Sequence, residues 1–280
     1  MTINTIDFDY IRSMVREECS LLLEPGKEYL VESRLHLLAR TEGASSVNDL
    51  LRRIRNDPTS TLRRKVVEIM ITSETTFFRD ARPFEILRKT VLPDLLARRA
   101  ADRTLTLWCA ATSGGQEPYS VAMILRESFP ILASWSVRFI GSDISRPLLK
   151  SASGGRYTQL EVNRGLPASL LVKYFRKRGQ EWEICQDIRD MVEFHEINLS
   201  KPWPALPRMD IVFMRNVLIY LSPETRNGIL AKVRRLLKPD GYLFLGGSES
   251  TISQEMGFEP IASDVNACFR TSEGAQIGQI

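Results

Sequence analysis

From about Ile6 to Glu85, apolar residues recur at three- and four-residue spacing, as in YLVESRLHLLAR (29–40) and VNDLLRRIRNDP (47–58). This spacing predicts a bundle of short helices. Gly43 stops one helix, Asp57-Pro58 interrupts the next, and Thr59, Ser60 and Thr61 offer N-cap chemistry to STLRRKVVEIMI. After a further helical segment, PFEILRKTVLPDLLARRA, the texture changes to short runs rich in β-branched and aromatic residues. TLTLWCA (104–110), SVRFIGSD (136–143), MVEFHEINL (191–199), MDIVFMRN (209–216) and GYLFLGGS (241–248) read as strands. Helices are predicted between some of them, at EPYSVAMILRES and SPETRNGILAKVRRLLKP. In the second, Ser222 can cap, Pro223 suits the first turn, and Ile229, Leu230, Val233, Leu236 and Leu237 make one apolar face. Strands alternating with helices predict a doubly wound α/β sheet. The stretch from about 157 to 190 breaks the alternation, because QEWEICQDIRDMVEF reads as short strands, and a small inserted β subdomain is expected there. The tail TSEGAQIGQI is expected to fray.

Composition narrows the class. At roughly 150 residues per domain, 280 residues suggest two domains, and 43% hydrophobic with 26% charged residues is the balance of a globular protein. No apolar run approaches the ~18–20 residues that cross a bilayer, and MTINTIDFDY carries acids where a secretory leader carries bases. A cytoplasmic protein without membrane insertion is expected. The four cysteines (Cys19, Cys109, Cys185, Cys268) form no CxxC pair and His36 and His195 are isolated, so neither a disulfide framework nor a metal site is suggested. The net charge of +4 is too small for a dedicated nucleic-acid binder. Six cations (Arg52, Arg53, Arg55, Arg63, Arg64, Lys65) nevertheless face one acid, Asp57, between positions 52 and 65. Such a run is a solvated helix face or a docking surface.

The candidate chemistry lies at predicted strand ends. WCAATSGGQEPYSVAM places small residues and Gly114-Gly115 in a tight turn before a helix, with neither GxGxxG nor GK[ST] for phosphates. Asp143 ends the second strand 28 residues after Gly115, where an acid can accept from both hydroxyls of a ribose; capping the next helix is the alternative. Together these suggest a nucleoside ligand without a phosphate requirement, with S-adenosylmethionine the obvious candidate. Asn198-Leu199 and Arg215-Asn216 can contact a ligand or tie up loop backbone. In ITSETTFFRD, Arg79 follows the aromatic pair Phe77-Phe78, and the bland reading is an interdomain linker.

ITSETTFFRD, WCAATSGGQEPYSVAM, GSDIS, EINLS, MRNVLIYLSPE and LLKPDGYLFLGGSES, in this order, resemble the CheR-type chemoreceptor glutamate O-methyltransferases over nearly the whole chain. The resemblance implies a Rossmann-like S-adenosylmethionine methyltransferase domain (81–280, with the β insertion at about 157–190) behind an N-terminal all-α domain (1–80) that recognises substrate. It implies cofactor contacts from Ser73, Thr75, Arg79, Glu117, Asp143, Asn198, Leu199, Arg215 and Asn216, with Arg79 and Tyr220 beside the transferring methyl group. It also implies methylation of receptor glutamates, S-adenosylhomocysteine as product, and docking of Arg52, Arg53, Arg55, Arg63 and Arg64 on the acidic cytoplasmic helices of chemoreceptors. A receptor C-terminal peptide could pair with the β subdomain along RKRGQEWEICQDIR. Gln116 stands where many members carry an acid, which leaves that position without an assigned role. The rival readings are a methyltransferase acting on nucleic acid or another protein, against which MRNVLIY lacks an NPPY-like loop, and a cofactor-binding regulator without turnover.

Overall fold

The computed structural model describes residues 3–57, 59–250, 256–261 and 267–272, so Pro58 and most of the tail expected to fray lie outside the described residues. The chain divides into two compact units. The first comprises Met1–Ser73, Asn198–Pro202 and Tyr220–Arg226. Its helices are α1 (Thr5–Cys19), α2 (Glu28–Thr41), α3 (Val47–Asn56) and α4 (Thr61–Met70). Asn4, Ser46 and Ser60 each accept a backbone N–H of the first turn of α1, α3 and α4, so of the three candidate caps before α4 it is Ser60 that acts. Gly43, at φ 63°, turns the chain after α2. The helices bury Phe8, Ile11 and Val15, Val31 and Leu35, Leu50 and Ile54, and Val66 and Met70 against one another. Arg34 adds a bond from Nη1 to the Met70 carbonyl (2.8 Å). The two returning segments are stitched on by an antiparallel bridge between Leu21 and Leu221 and by Asn198 Nδ2 donating to Glu18 O.

The second unit comprises the described parts of Glu74–Ile197, Trp203–Ile219 and Asn227–Ile280. Its strands are β1 (Thr104–Ala110), β2 (Ser136–Asp143), β3 (Arg156–Thr158), β4 (Phe175–Arg178), β5 (Glu181–Ile184), β6 (Glu193–Glu196), β7 (Met209–Met214), β8 (Leu237–Leu245), β9 (Phe258–Pro260) and β10 (Cys268–Thr271). Seven form one sheet in the order β6-β2-β1-β7-β8-β10-β9, in which the first five run parallel and β10 is antiparallel to β8 and β9. The chain winds outward from β1 through β2 to β6 and then returns to β7 beside β1. This reversal opens a crevice at the carboxyl ends of β1 and β7, where open α/β sheets take their ligands.

Three local readings need correction. The helix Pro223–Leu236 ends before Leu237, which begins β8 instead of completing the helix face. Pro239 accounts for this, because it cannot continue a helix and favours extended backbone at Lys238. Gln186–Arg189 is one helical turn, closed by Cys185 O accepting from Ile188 and Arg189, not a strand. The segment 83–100 is helical but not uniform: Ala81–Ile86 runs into a π-turn (Leu87–Val91) before Leu92–Arg98. Pro93 has no N–H to give a regular ladder, and the widened turn immediately before it absorbs the loss.

The inserted sheet has the antiparallel order β3-β5-β4. It is anchored by Phe77, whose ring meets Tyr157 of β3 at 5.0 Å and Phe175 of β4 at 5.6 Å, both edge-on. Gly165, at φ 84°, lies so close to this segment that a Cβ would fall 2.0 Å from the Phe77 carbonyl oxygen.

At the opposite end of the sheet, a buried polar knot joins β1, β7 and β8. Asp210, wholly buried, accepts from Arg99 Nε (2.9 Å), Thr106 N and Oγ1 (2.9 Å each) and Lys238 Nζ (2.8 Å), and Arg99 also holds Asp240 with both terminal nitrogens. Removing one partner of a buried pair strands the rest, at a cost of about 3–5 kcal/mol. Asp210→Ala is therefore expected to lower stability by about that amount, read as a fall in the urea midpoint at unchanged slope. A midpoint shift below about 1 kcal/mol would show that the knot contributes little.

Candidate active site

The second unit contains Thr75, Arg79, Glu117, Asp143, Arg215 and Asn216, of which Asp143 and Arg215 stand at the carboxyl ends of β2 and β7 and Glu117 begins the helix after β1. Asp143 closes β2. Its Oδ2 accepts the Ser113 N–H (2.8 Å) and its Oδ1 the Ser145 N–H (3.0 Å). The carboxylate thus orders the turn after β1, while the next helix is capped by Ser145, whose side chain accepts from Leu148 N. Burial pushes the Asp143 carboxyl above its ordinary 3.8, against the pull of the Ser145, Ser113 and Ile144 amides.

The turn Ala111–Gly115 is tight. Ala111 and Ser113 hold φ of 55° and 50°, and Tyr157 of the inserted sheet donates its hydroxyl to the Gly114 carbonyl (2.9 Å). The glycines answer to packing, because a Cβ on Gly115 would meet Ala152 at 3.0 Å and Tyr119 at 3.2 Å. Glu117 sits in the first turn of the helix Gln116–Ser128, where the helix dipole favours an anion. Burial nevertheless pushes its carboxyl above 4.5, more than the Arg215 guanidinium pulls it down.

Arg215, at the end of β7, has a side chain that is almost fully enclosed. It donates to Glu117 Oε2 (2.7 Å), the Arg79 carbonyl (2.9 Å) and Asp80 Oδ2 (2.9 Å), and it stacks over Phe84 at 5.7 Å. The Arg79 guanidinium is half-buried and donates from Nη1 to the Glu74 carbonyl (3.0 Å), while Arg164 pairs with the Glu74 carboxylate. Phe78 N donates to Ser120 Oγ, which fixes the backbone just before Arg79.

The remaining candidates, Ser73, Asn198, Leu199 and Tyr220, belong to the first unit. Asn198 donates one Nδ2 hydrogen to Glu18 O, and its Oδ1 accepts from Ser200 N and Oγ. The Tyr220 carbonyl accepts from Leu22 N (2.9 Å). In the same unit every cation of the basic run has a carboxylate partner: Arg52 and Arg53 share Asp49 (2.7 Å each), Arg55 takes Asp7 (2.6 Å), and Arg63 lies near Glu17 and Glu18. Arg64 reaches Glu68 at 3.5 Å, and Lys65 takes Glu42 at 2.7 Å. A count between positions 52 and 65 missed these acids because all of them lie outside that window, three of them on α1.

Sequence reasoning also passed over Asp80 and Glu249, whose only signal was the G-x-x-E spacing of GGSE. Glu249 is wholly buried and accepts four backbone N–H groups.

The site suits a nucleoside amino acid. Thr112 Oγ1 and Gln116 Oε1 are buried polar atoms with no protein partner, and two carboxylates, Asp143 and Glu117, can accept from ribose hydroxyls and an α-ammonium. A Rossmann-like sheet with such a crevice is that of an S-adenosylmethionine-dependent methyltransferase. The family model for the CheR methyltransferase SAM-binding domain matches residues 73–267 and that for the CheR all-alpha domain residues 6–70, so the chain belongs to the CheR methyltransferase family. It is 39% identical to chemotaxis protein methyltransferase Cher2 of Pseudomonas putida and 40% identical to chemotaxis protein methyltransferase 1 of Pseudomonas aeruginosa, in each case over 89% of this chain and 92% of the relative. A third relative, chemotaxis protein methyltransferase 1 of Vibrio cholerae, is 36% identical over 93% of this chain and 96% of its own length. No helix among the described residues is long and apolar enough to cross a membrane.

Because the folded Asp143 carboxyl titrates above 3.8, its ionisation opposes folding: the stability tied to its protonated form is present below that value and is lost as pH rises through the folded pKa. If Asp143 accepts from a ribose, as expected from the sequence, protonating it removes an acceptor, so S-adenosylhomocysteine affinity should fall as pH is lowered through its raised pKa. Asp143→Asn should bind about tenfold to a hundredfold more weakly at neutral pH, the equivalent of ~1.5–3 kcal/mol for bonds to a charge, and should lose that part of the pH dependence. Calorimetric titration of both proteins checks this, with any dependence left in the variant assigned to Glu117.

Proposed function

We propose that this enzyme transfers the methyl group of S-adenosylmethionine to glutamate side-chain carboxylates in the cytoplasmic helices of chemoreceptors, forming the methyl esters used in sensory adaptation. The observation that carries this reading is the near-complete match to proteins named chemotaxis protein methyltransferase. The chemistry is consistent with the side chains at the site. A glutamate has a pKa of about 4.3, so at neutral pH the acceptor is already a carboxylate and needs no general base. The bound cofactor supplies a sulfonium already activated for methyl loss, and what the protein must add is alignment for in-line displacement.

In this reading Arg79, on a backbone held by Ser120 and Arg215 and with its guanidinium donating to the Glu74 carbonyl, positions the acceptor carboxylate or that of the cofactor, and Tyr220 positions the acceptor oxygen. Ser73, Thr75, Glu117, Asp143, Asn198, Leu199 and Asn216 line the cofactor, and Arg215 acts on it by holding Glu117 and the Arg79 carbonyl. Arg52 remains the most outward member of the basic run, with 73% of its side chain exposed, and we assign the Arg52, Arg53, Arg55, Arg63 and Arg64 face to docking on acidic receptor helices. The outer edge of β4 carries exposed Arg176, Lys177 and Arg178 and is suited to adding a receptor C-terminal peptide as a further strand.

The product should be a base-labile ester that releases methanol in alkali; a stable N-methyl product would overturn the assignment. Arg79→Ala should abolish transfer with the fold intact, and near-normal turnover would remove Arg79 from the site. Reversing Arg52 and Arg53 together to Glu should raise the receptor KM severalfold and flatten its salt dependence at unchanged kcat. If neither changes, that face is merely solvated. Assays on receptor cytoplasmic fragments with and without their C-terminal tails decide the role of β4.

A further inference from the structure

Glu249 ends the short 3-10 turn Gly247–Glu249 that follows β8, and no part of it is exposed. Its Oε1 accepts the N–H groups of Val217 (2.9 Å) and Leu218 (2.7 Å), and its Oε2 those of Asn216 (2.9 Å) and Gly246 (2.8 Å). Three of these donors are consecutive residues of the loop leaving β7. Successive amides converging on one anion form a nest, a conformation that leaves three unsatisfied donors when the anion is removed. Asn216 pays for the turn with a left-handed backbone, φ 59°, which a non-glycine residue keeps only where its surroundings enforce it. The fit is close: a Cβ on Gly246 would lie 2.8 Å from both Glu249 Oε2 and Asn216 Nδ2.

We infer that Glu249 is a positioning residue for methyl transfer, whose carboxylate holds the Asn216–Leu218 turn in the conformation that presents Asn216 to the cofactor. It acts through the backbone and touches neither cofactor nor substrate. The inference rests on the reading of Asn216 as a cofactor contact. The carboxylate is also near enough to the crevice for its charge to act on Glu117.

Glu249→Gln is the discriminating change, because the carboxamide keeps the shape but turns an NH2 toward two backbone donors. The variant should weaken S-adenosylhomocysteine binding at least tenfold and lower kcat, with the receptor KM unchanged. Glu249→Asp, which keeps the charge, should recover part of the binding. In the wild-type protein without cofactor, the amide hydrogens of 216–218 should exchange slowly, and in Glu249→Gln quickly. Asn216→Ala serves as the reference. If it weakens binding while folded Glu249→Gln stays within twofold of wild type, the inference is overturned even where the melting temperature drops. If Asn216→Ala leaves affinity unchanged, the reading of Asn216 is what fails, and the inference falls with it. Should Glu249→Gln not fold, unprotected wild-type amides at 216–218 would overturn the inference, and slow exchange that Glu249→Asp loses in step with its cofactor affinity would support it.

Discussion

The buried guanidinium of Arg215 is the interaction on which the carboxyl edge of the sheet depends. One side chain at the end of β7 reaches the first turn of the helix Gln116–Ser128 through Glu117 and the 74–80 segment through Asp80 and the Arg79 carbonyl. Three stretches far apart in sequence are thereby brought to one charge. Desolvating that charge is costly, and its terminal nitrogens offset part of the cost through bonds to two carboxylates and a carbonyl, while Nε is buried without a protein partner. Burial raises the Glu117 carboxyl even so, which shows that the guanidinium does not fully compensate its enclosure. An incompletely compensated carboxylate gains from a cationic ligand what a solvated one would not.

Around this centre the backbone is held in conformations it would not choose. Phe78, Asp80, Ala111, Ser113 and Asn216 have φ between 49° and 59°, each costing of order 1 kcal/mol or more. Four of the five are held by a specific polar partner. Ser120 Oγ takes the Phe78 amide, Arg215 takes the Asp80 carboxylate, Asp143 takes the Ser113 amide and Glu249 takes the Asn216 amide. Ala111 is followed by Thr112, whose amide is held by the Ser142 carbonyl. The chain thus fixes turns through side chains near the ligand crevice, while regular sheet hydrogen bonding carries the rest.

Elements whose identity follows from local periodicity were legible in the sequence. β1 and β2 coincide with the runs TLTLWCA and SVRFIGSD because short runs rich in β-branched and aromatic residues carry the strand signal. The helix after Gly115 was legible as well. Non-local effects were not. Leu237 has helical spacing but is claimed by the sheet, since Pro239 and pairing with Met209 outweigh one more apolar position on a helix. The π-turn before Pro93 leaves the apolar pattern unchanged. The site divides along the same line: Asp143 was found because it ends a strand, whereas Glu249 looks like any surface glutamate until four amides are seen converging on it.

The basic run from Arg52 to Lys65 shows what a one-dimensional count measures. Its acids, Asp7, Glu17, Glu18, Glu42, Asp49 and Glu68, all lie outside the run itself, so the excess visible along the sequence is largely balanced in space. Asp49, serving Arg52, Arg53 and the Ser45 amide at once, is drawn down to about 2. Exposed pairs of this kind are worth little individually and are screened by salt. Under the proposed docking on acidic receptor helices, a charged face already satisfied within its own unit would give weak, salt-sensitive and rapidly reversible association.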